Sequence, residues 1–416
     1  MKKLQPIRIG EKEIEPNRPV YIIFEVASTH KNNWQIAKAY VHQAREAGAD
    51  ALKFQMFKTD KLLNPITSGF KTTYDFFKSA EIPHEWFPKL KELCDKASID
   101  LLCTPFDSDS ARFLDSVGVP AIKIASGELT NYQLLSSVAK FEKPVILSTG
   151  MATMREIRTA VKILRENGCR ELALLQCVSV YPMSYEDANI RAMQTLQEEF
   201  GCTVGYSDNG SKGYLVPLLA VALGASIIEK HVTSQKQRGN LDDVFSLSVG
   251  DFTQMVKRIR LLEKEYKQSF SSNKSHLESA VDDLKKEFSR NVEIALGDGV
   301  KKPAEFGIPR ADGTRMIETD ERHWARRGLY PKINIPKGST ITKDLIISLR
   351  PDIGLSALSL NQVIGAKAEE DLPVKHPIKL ENRKVRRFRK SDIKKTYRNK
   401  EDAQFVKILK ETALFD

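Results

Sequence analysis

Short apolar runs alternate with stretches of helical periodicity along residues 21–231. The runs are YIIFEV (21–26), ALKFQM (51–56), LLCTPF (101–106), AIKIASGE (121–128), VILSTG (145–150), LALLQC (172–177), TVGYSD (203–208) and SIIEKH (226–231). Between them lie segments such as WQIAKAYVHQAREAG and ARFLDSVG, whose apolar residues recur at helical spacing. Strand–helix alternation of this kind predicts parallel strands joined by crossover helices. Eight such units close a (β/α)₈ TIM barrel, whose active site lies at the C-terminal strand ends. Nearly every run ends in a polar side chain. The ends offer Glu25, Lys53, Gln55, Thr104, Lys123, Ser126, Glu128, Ser148, Ser207, Asp208 and His231. That is a polar, cation-bearing bowl suited to a small anionic substrate.

The pattern changes after the eighth run. DFTQMVKRIRLLEKEYKQ (251–268) predicts the last barrel helix, and SSNKS (271–275) breaks it. LESAVDDLKKEFSRNVEIALG (277–297) predicts a second amphipathic helix, and the Gly-, Pro- and charge-rich stretch that follows predicts a linker. Short β-type runs cut by turns begin near residue 322. The expected organisation is therefore a barrel domain over 1–270, a helical insert and linker over 271–321, a small β-rich domain over 322–382, and a C-terminal tail over 383–416.

Charge alters this picture only at the end of the chain. The formal net charge is +11, but residues 383–400 alone hold ten Lys or Arg and one Asp, a local +9. The rest is close to neutral, so no specific nucleic-acid partner is expected for the barrel. The tail predicts a solvated extension or contact with an anionic surface. No apolar run reaches the roughly 18–20 residues of a membrane helix, and the N-terminus lacks a signal-peptide core. The five cysteines form no C-x-x-C pair, which predicts reduced, buried thiols and a cytoplasmic protein.

The chemistry concentrates on two lysines. Strand alternation puts Lys53 and Gln55 on one face, and Lys123 occupies the homologous place in another run. Lysines are rarely buried without a partner, so two inside one barrel call for an anion between them. Ser126, Ser148, Thr104 and Ser207 are short hydroxyl donors fit for phosphate or carboxylate oxygens. Glu25 and Glu128 are candidate acid–base groups or sugar-hydroxyl acceptors. His231 is a candidate metal ligand. His30 reads as a polar loop residue.

These motifs resemble the sialic acid synthases, also called N-acetylneuraminate synthases. The matching stretches include EAGADALKFQMF, CTPFD, IKIASGELTNYQLL, KPVILSTGM, VYPMSYEDAN, ALGASIIEKH, ARRGLY and LRPDIGLS, in the family's order over about 18–382. The resemblance implies a barrel followed by an antifreeze-like (SAF) domain, and a homodimer in which that domain caps the partner's barrel. It implies condensation of phosphoenolpyruvate with an N-acyl hexosamine to a nine-carbon 2-keto sugar acid. By the same resemblance, Lys53, Gln55, Thr104, Lys123, Ser126, Ser148, Tyr181 and Ser207 match phosphoenolpyruvate-binding positions. Glu25, Glu128 and Asp242 match positions near the sugar, and Arg350 matches the arginine that reaches the N-acyl group. His231 matches one ligand of a divalent metal, Mn²⁺ or Mg²⁺, and Asn209 stands where the family has the second, a histidine. The family's Asn-His-Asn-Gly after the first strand is Thr29, His30, Lys31, Asn32 here, and a family Asn before Tyr181 is Ser179. Two other functions stay open: an eight-carbon sugar acid synthase, and a catalytically silent relative acting as a binding or scaffolding protein.

Overall fold

The computed structural model describes residues 4–16, 18–65, 71–210, 213–234, 242–266, 274–288, 290–296, 318–397 and 403–411. They fold as two units. The first comprises 1–56, 82–129 and 133–305, and the second 57–81, 130–132 and 306–416.

The first unit is a closed parallel barrel. Its strands are β1 (Tyr21–Glu25), β2 (Ala51–Met56), β3 (Asp100–Pro105), β4 (Ile122–Ile124), β5 (Val145–Ser148), β6 (Leu172–Cys177), β7 (Thr203–Asp208) and β8 (Ile227–Thr233). Each pairs in parallel with its successor, and β8 pairs with both β7 and β1, which closes the ring. A two-residue strand, β9 (Leu247–Ser248), adds to β8. The crossover helices include α1 (Trp34–Glu46), α2 (Trp86–Lys96), α3 (Ser108–Val117), α4 (Tyr132–Val138), α5 (Met154–Glu166), α6 (Ala192–Phe200), α7 (Leu215–Ala222) and α8 (Val249–Tyr266). Asn33 starts α1, Asp107 starts α3 and Thr153 starts α5, each through a side-chain oxygen that accepts from free first-turn amides.

Period-two alternation sorts the barrel interior into tiers. Tyr21, Ile23, Ala51, Leu102, Ala121, Ile146, Ala173, Leu175 and Ile227 form one buried apolar cluster near the strand starts. An N-terminal hairpin, Ile7–Ile9 with Lys12–Ile14, inserts Ile7, Ile9 and Ile14 into the same cluster. That end is thus plugged by hydrocarbon. Two residues further along the same strand faces stand Glu25, Lys53, Thr104, Lys123, Ser148, Cys177 and Glu229. Gly205 on β7 leaves no room for a side chain: an added Cβ would lie 2.2 Å from the Ile227 carbonyl oxygen.

Beyond α8 the structure differs in detail from the expected single helix. Residues 277–297 contribute to two helices, α9 (Lys274–Phe288) and α10 (Arg290–Leu296). Both pack against α7. The reason lies in α7 itself: LVPLLAVA is buried on every face, so its outer side needs apolar cover. Val281, Leu284, Val292 and Leu296 are buried there. The linker expected after 297 lies outside the described residues.

The second unit contains α11 (Thr319–Ala325), β10 (Gly328–Pro331), β11 (Ile346–Leu349), β12 (Lys367–Ala368), β13 (Ile378–Glu381) and β14 (Lys384–Arg387), followed by α12 (Lys390–Thr396) and α13 (Ala403–Glu411). β10 pairs antiparallel with β11. Residues 57–81, expected with the barrel, belong to this unit through backbone pairing. The Arg350 amide donates to Leu62 O, and the Asn64 amide to Arg350 O, both at 2.8 Å.

The basic stretch is not a tail. β14 is the central strand of a three-stranded sheet, parallel to β12 and antiparallel to β13. Phe388, Ile393, Phe405 and Leu409 close over Ile353 as a second small core. Three of the ten cations, Arg386, Arg387 and Arg389, are paired locally, and Lys379 joins them from the neighbouring strand. Arg386 bonds Asp392 (2.7 Å) and Glu381 (3.0 Å), Lys379 bonds Asp392 (3.0 Å), and Arg387 and Arg389 bond Glu370. The hydrogen bonds from Arg386 hold Asp392 well below the usual carboxylate range. An anionic-surface contact loses its premise of a solvated extension.

Candidate active site

β1, β2, β4, β7 and β8 place charged or polar side chains in one tier because their inward positions share a register. Glu25 is opposite Lys53, His231 is opposite Glu25, and Glu229 is opposite Ser207. The tier is shielded from bulk solvent: Glu25, Lys53, Lys123 and Glu229 are all buried. Lys53 Nζ lies 2.6 Å from Glu25 Oε2, 3.6 Å from Glu229 Oε1 and 3.2 Å from Thr104 Oγ1. Lys123 Nζ donates to Ser148 Oγ at 2.8 Å and lies 3.7 Å from Glu229 Oε1. Gln55 donates to Glu25 Oε1 at 2.7 Å, and Ser207 Oγ donates to Glu229 Oε1 at 3.1 Å.

These contacts divide the two lysines. Burial disfavours the charge of both. For Lys53 burial is outweighed by Glu229 and Glu25, and the ammonium is held above the ordinary lysine range. For Lys123 burial dominates and Lys53 adds repulsion, so it is held below that range. Burial raises the Glu25 carboxyl despite Lys53. Burial also opposes the charge of Glu229, but Lys123 and Lys53 outweigh it and keep the group low.

The remaining expected residues surround this tier or lie apart from it. Ser126 and Glu128 form a buried turn after β4, where Ser126 Oγ accepts from the Gly150 amide at 3.0 Å. Gly150 is squeezed there: an added Cβ would lie 2.3 Å from Ser179 Oγ and 2.8 Å from Ser126 Oγ. Tyr181 is 45% exposed, and its ring meets those of His231 and Phe245 at 6.3 and 4.8 Å. Asp242 accepts from the Ser28 amide at 2.8 Å and from its hydroxyl. Arg350 is in the second unit, buried beside Leu62 and Asn64. His30 is buried rather than a solvated loop residue, and burial lowers its pKa to about 4. Its Nδ1 accepts from the Asn32 amide at 2.9 Å. Asn32 has φ +49°, a left-handed conformation that asparagine tolerates in place of glycine.

The proposed metal position can be tested on its donors. His231 is buried, its pKa is lowered to about 4 by burial, and its Nδ1 makes no hydrogen bond with any described residue. A neutral imidazole with a free nitrogen fits a divalent cation. Asn209 directs its amide nitrogen to Val178 O at 2.8 Å and to Cys177 Sγ. Its oxygen is the one donor it can offer, a hard ligand suited to Mg²⁺ or Mn²⁺. Among the described residues no group of three or more His, Cys, Asp or Glu could hold a metal, so water and substrate would complete the shell.

Two features escaped the sequence analysis. Glu229 sits between the lysines, and its signal was present: the alternation that pairs Lys53 with Gln55 also pairs Glu229 with His231. Lys230, on the opposite face of β8, is fully buried and pairs with Asp208 at 2.6 Å and with Gly210 O. It fixes the turn that carries Asn209.

The chain is similar to known proteins along most of its length. The profile of the NeuB family matches residues 40–271. Uncharacterized protein MJ1065 of Methanocaldococcus jannaschii is 38% identical over 368 residues, 88% of this chain and 96% of the relative. The N,N'-diacetyllegionaminic acid synthase of Legionella pneumophila is 34% identical over 366 residues, covering 85% and 91%. The crystal structure of the spore coat polysaccharide biosynthesis protein SpsE of Bacillus subtilis superposes with a TM-score of 0.72 at 31% identity, covering 89% of this chain and 97% of that one.

Proposed function

Because this chain belongs to the NeuB family of sialic acid synthases, we propose that it condenses phosphoenolpyruvate with an N-acyl hexosamine. The product is a nine-carbon 2-keto sugar acid of the sialic, legionaminic or pseudaminic type, and phosphate is released. The observation that carries this is the pair of buried lysines flanked by Thr104, Ser148 and Ser207 in one tier of the barrel. A silent scaffold has no physical use for two ammonium groups in a buried interior.

In this mechanism Lys53 and Lys123 bind the phosphate and carboxylate of phosphoenolpyruvate, and Gln55, Ser126 and the three hydroxyls supply hydrogen bonds. Tyr181 borders the same substrate. C3 of phosphoenolpyruvate attacks the aldehyde carbon of the open-chain sugar and forms the C–C bond. Water adds at C2, the C2–O bond to phosphate breaks, and the keto acid remains. Glu25 and Glu128 move protons to the new hydroxyl and from the attacking water. His231 and the Asn209 amide oxygen would hold a divalent cation, which would supply Lewis-acid polarisation of the aldehyde. Asp242 orients the sugar, and Arg350 of the partner subunit meets its N-acyl group in a domain-exchanged dimer. Arg350→Ala is then expected to raise the KM of the sugar more than that of phosphoenolpyruvate, as read by initial rates.

A pH dependence follows from the two lysines. Lys123 is cationic below its lowered pKa and neutral above it. Phosphoenolpyruvate affinity should therefore weaken as pH rises through a value below the ordinary lysine range of about 10.4. Calorimetric titration across the alkaline range checks this.

The function itself is tested by incubating the protein with phosphoenolpyruvate and a panel of N-acyl hexosamines. Phosphate release that requires both substrates is expected. No release with any member of the panel overturns the proposal.

A further inference from the structure

We infer that Glu229 is the positioning residue of the cationic pair, a counter-anion that holds Lys53 and Lys123 apart and yields them to the substrate's phosphate. The inference rests on the proposed phosphoenolpyruvate site and goes beyond it in naming what occupies the lysines beforehand.

The geometry singles Glu229 out. Among the described residues it is the one carboxylate ion-paired with both ammonium groups, at 3.6 and 3.7 Å from the same oxygen, Oε1. Each lysine makes its short bonds elsewhere, Lys53 to Glu25 and Lys123 to Ser148. Glu229 Oε1 is otherwise held by Ser207 Oγ, and Oε2 is buried without a hydrogen bond from any described residue. A buried carboxylate with one oxygen unsatisfied is costly. A charge-assisted hydrogen bond closes to about 2.7–2.9 Å, and the two lysine contacts of Glu229 are both longer.

The loose contact makes physical sense if it must be surrendered. Two ammonium groups facing each other in a buried cavity repel strongly. A carboxylate between them lets both stay charged before substrate arrives. A tight bidentate partner would have to be displaced at full cost, whereas one held through charge alone yields to a dianionic phosphate. Glu25 does not fill this role, because it pairs with Lys53 and not with Lys123.

The test is Glu229→Gln in the full chain, which keeps the shape and removes the charge. Removing the competing anion should tighten binding of inorganic phosphate and of phosphoenolpyruvate about tenfold. Turnover should fall by about a hundredfold, because the lysines lose their spacing. A residue that merely supports the fold would weaken binding and turnover together. Glu229→Asp withdraws the carboxylate by one methylene and should give an intermediate tightening. It also serves if the glutamine variant does not fold. Calorimetry with inorganic phosphate and with phosphoenolpyruvate reads the affinities, and initial rates read turnover. Weaker or unchanged phosphate binding in a folded Gln or Asp variant overturns the inference. Failure of the wild-type protein to bind phosphoenolpyruvate would instead overturn the functional proposal, while the inorganic-phosphate arm still decides the role of Glu229.

Discussion

Lys123→Ala is expected to abolish turnover while leaving the chain folded. In the proposed complex Lys123 and Lys53 share the charge of phosphoenolpyruvate, and removal of Lys123 leaves a multiply charged anion facing one cation in a desolvated tier. Loss of a single preorganised donor to developing charge costs about 10²–10³ in kcat. Loss of a full cation in a site this buried should reach at least the upper figure, with phosphoenolpyruvate binding weakened as well. Folding survives for a local reason. Glu229 still faces Lys53 and still accepts from Ser207, Ser148 keeps a short hydroxyl, and one source of like-charge repulsion disappears. Near-normal phosphoenolpyruvate affinity in a folded Lys123→Ala protein would contradict the site.

Truncation after residue 382 is expected to unfold the second unit. The cut removes β14, the central strand of its three-stranded sheet, so β12 and β13 each lose their partner. It also removes Val385, Phe388, Ile393, Phe405 and Leu409, all buried. At roughly 1.5–3 kcal/mol per buried side chain, the loss is on the order of 10 kcal/mol, comparable with the whole stability of a typical domain, about 5–15 kcal/mol. Tyr397 goes too, with its bonds to the Gly354 amide and Asp352 O. Limited proteolysis should then cut readily within 318–382 while the barrel resists. A truncated protein as resistant as the full chain would restore the picture of a solvated extension.

The barrel was legible because its signal is local. Most strands carry apolar inward residues near their start and a polar inward residue near their end, and period-two alternation exposes both. Lys53, Thr104, Lys123, Ser148 and Ser207 fall on that inward face. Glu229 was overlooked because SIIEKH was read only at its last residue, His231. The C-terminal stretch misled for another reason. Its apolar residues, from Val385 to Leu409, are sparse among cations, and of the carboxylates that pair with the arginines only Asp392 lies in the stretch, while Glu370 and Glu381 sit earlier in the chain. The pairing of Arg350 with Leu62 and Asn64 joins residues more than 280 positions apart, and no short-range pattern announces it. Asn209 and Arg350 had meaning only through family resemblance, since neither spacing nor composition marks them.

The central claim is that this barrel joins C3 of phosphoenolpyruvate to a sugar aldehyde and expels phosphate from C2. It is tested most directly with phosphoenolpyruvate carrying ¹⁸O at the bridging C2–O–P oxygen and ¹³C at C3, incubated with the accepted N-acyl hexosamine. The expected result is ¹⁸O in the released phosphate and ¹³C in a new carbon–carbon bond of the keto acid. Released phosphate without ¹⁸O, or ¹³C recovered in pyruvate with no sugar attached, would contradict it.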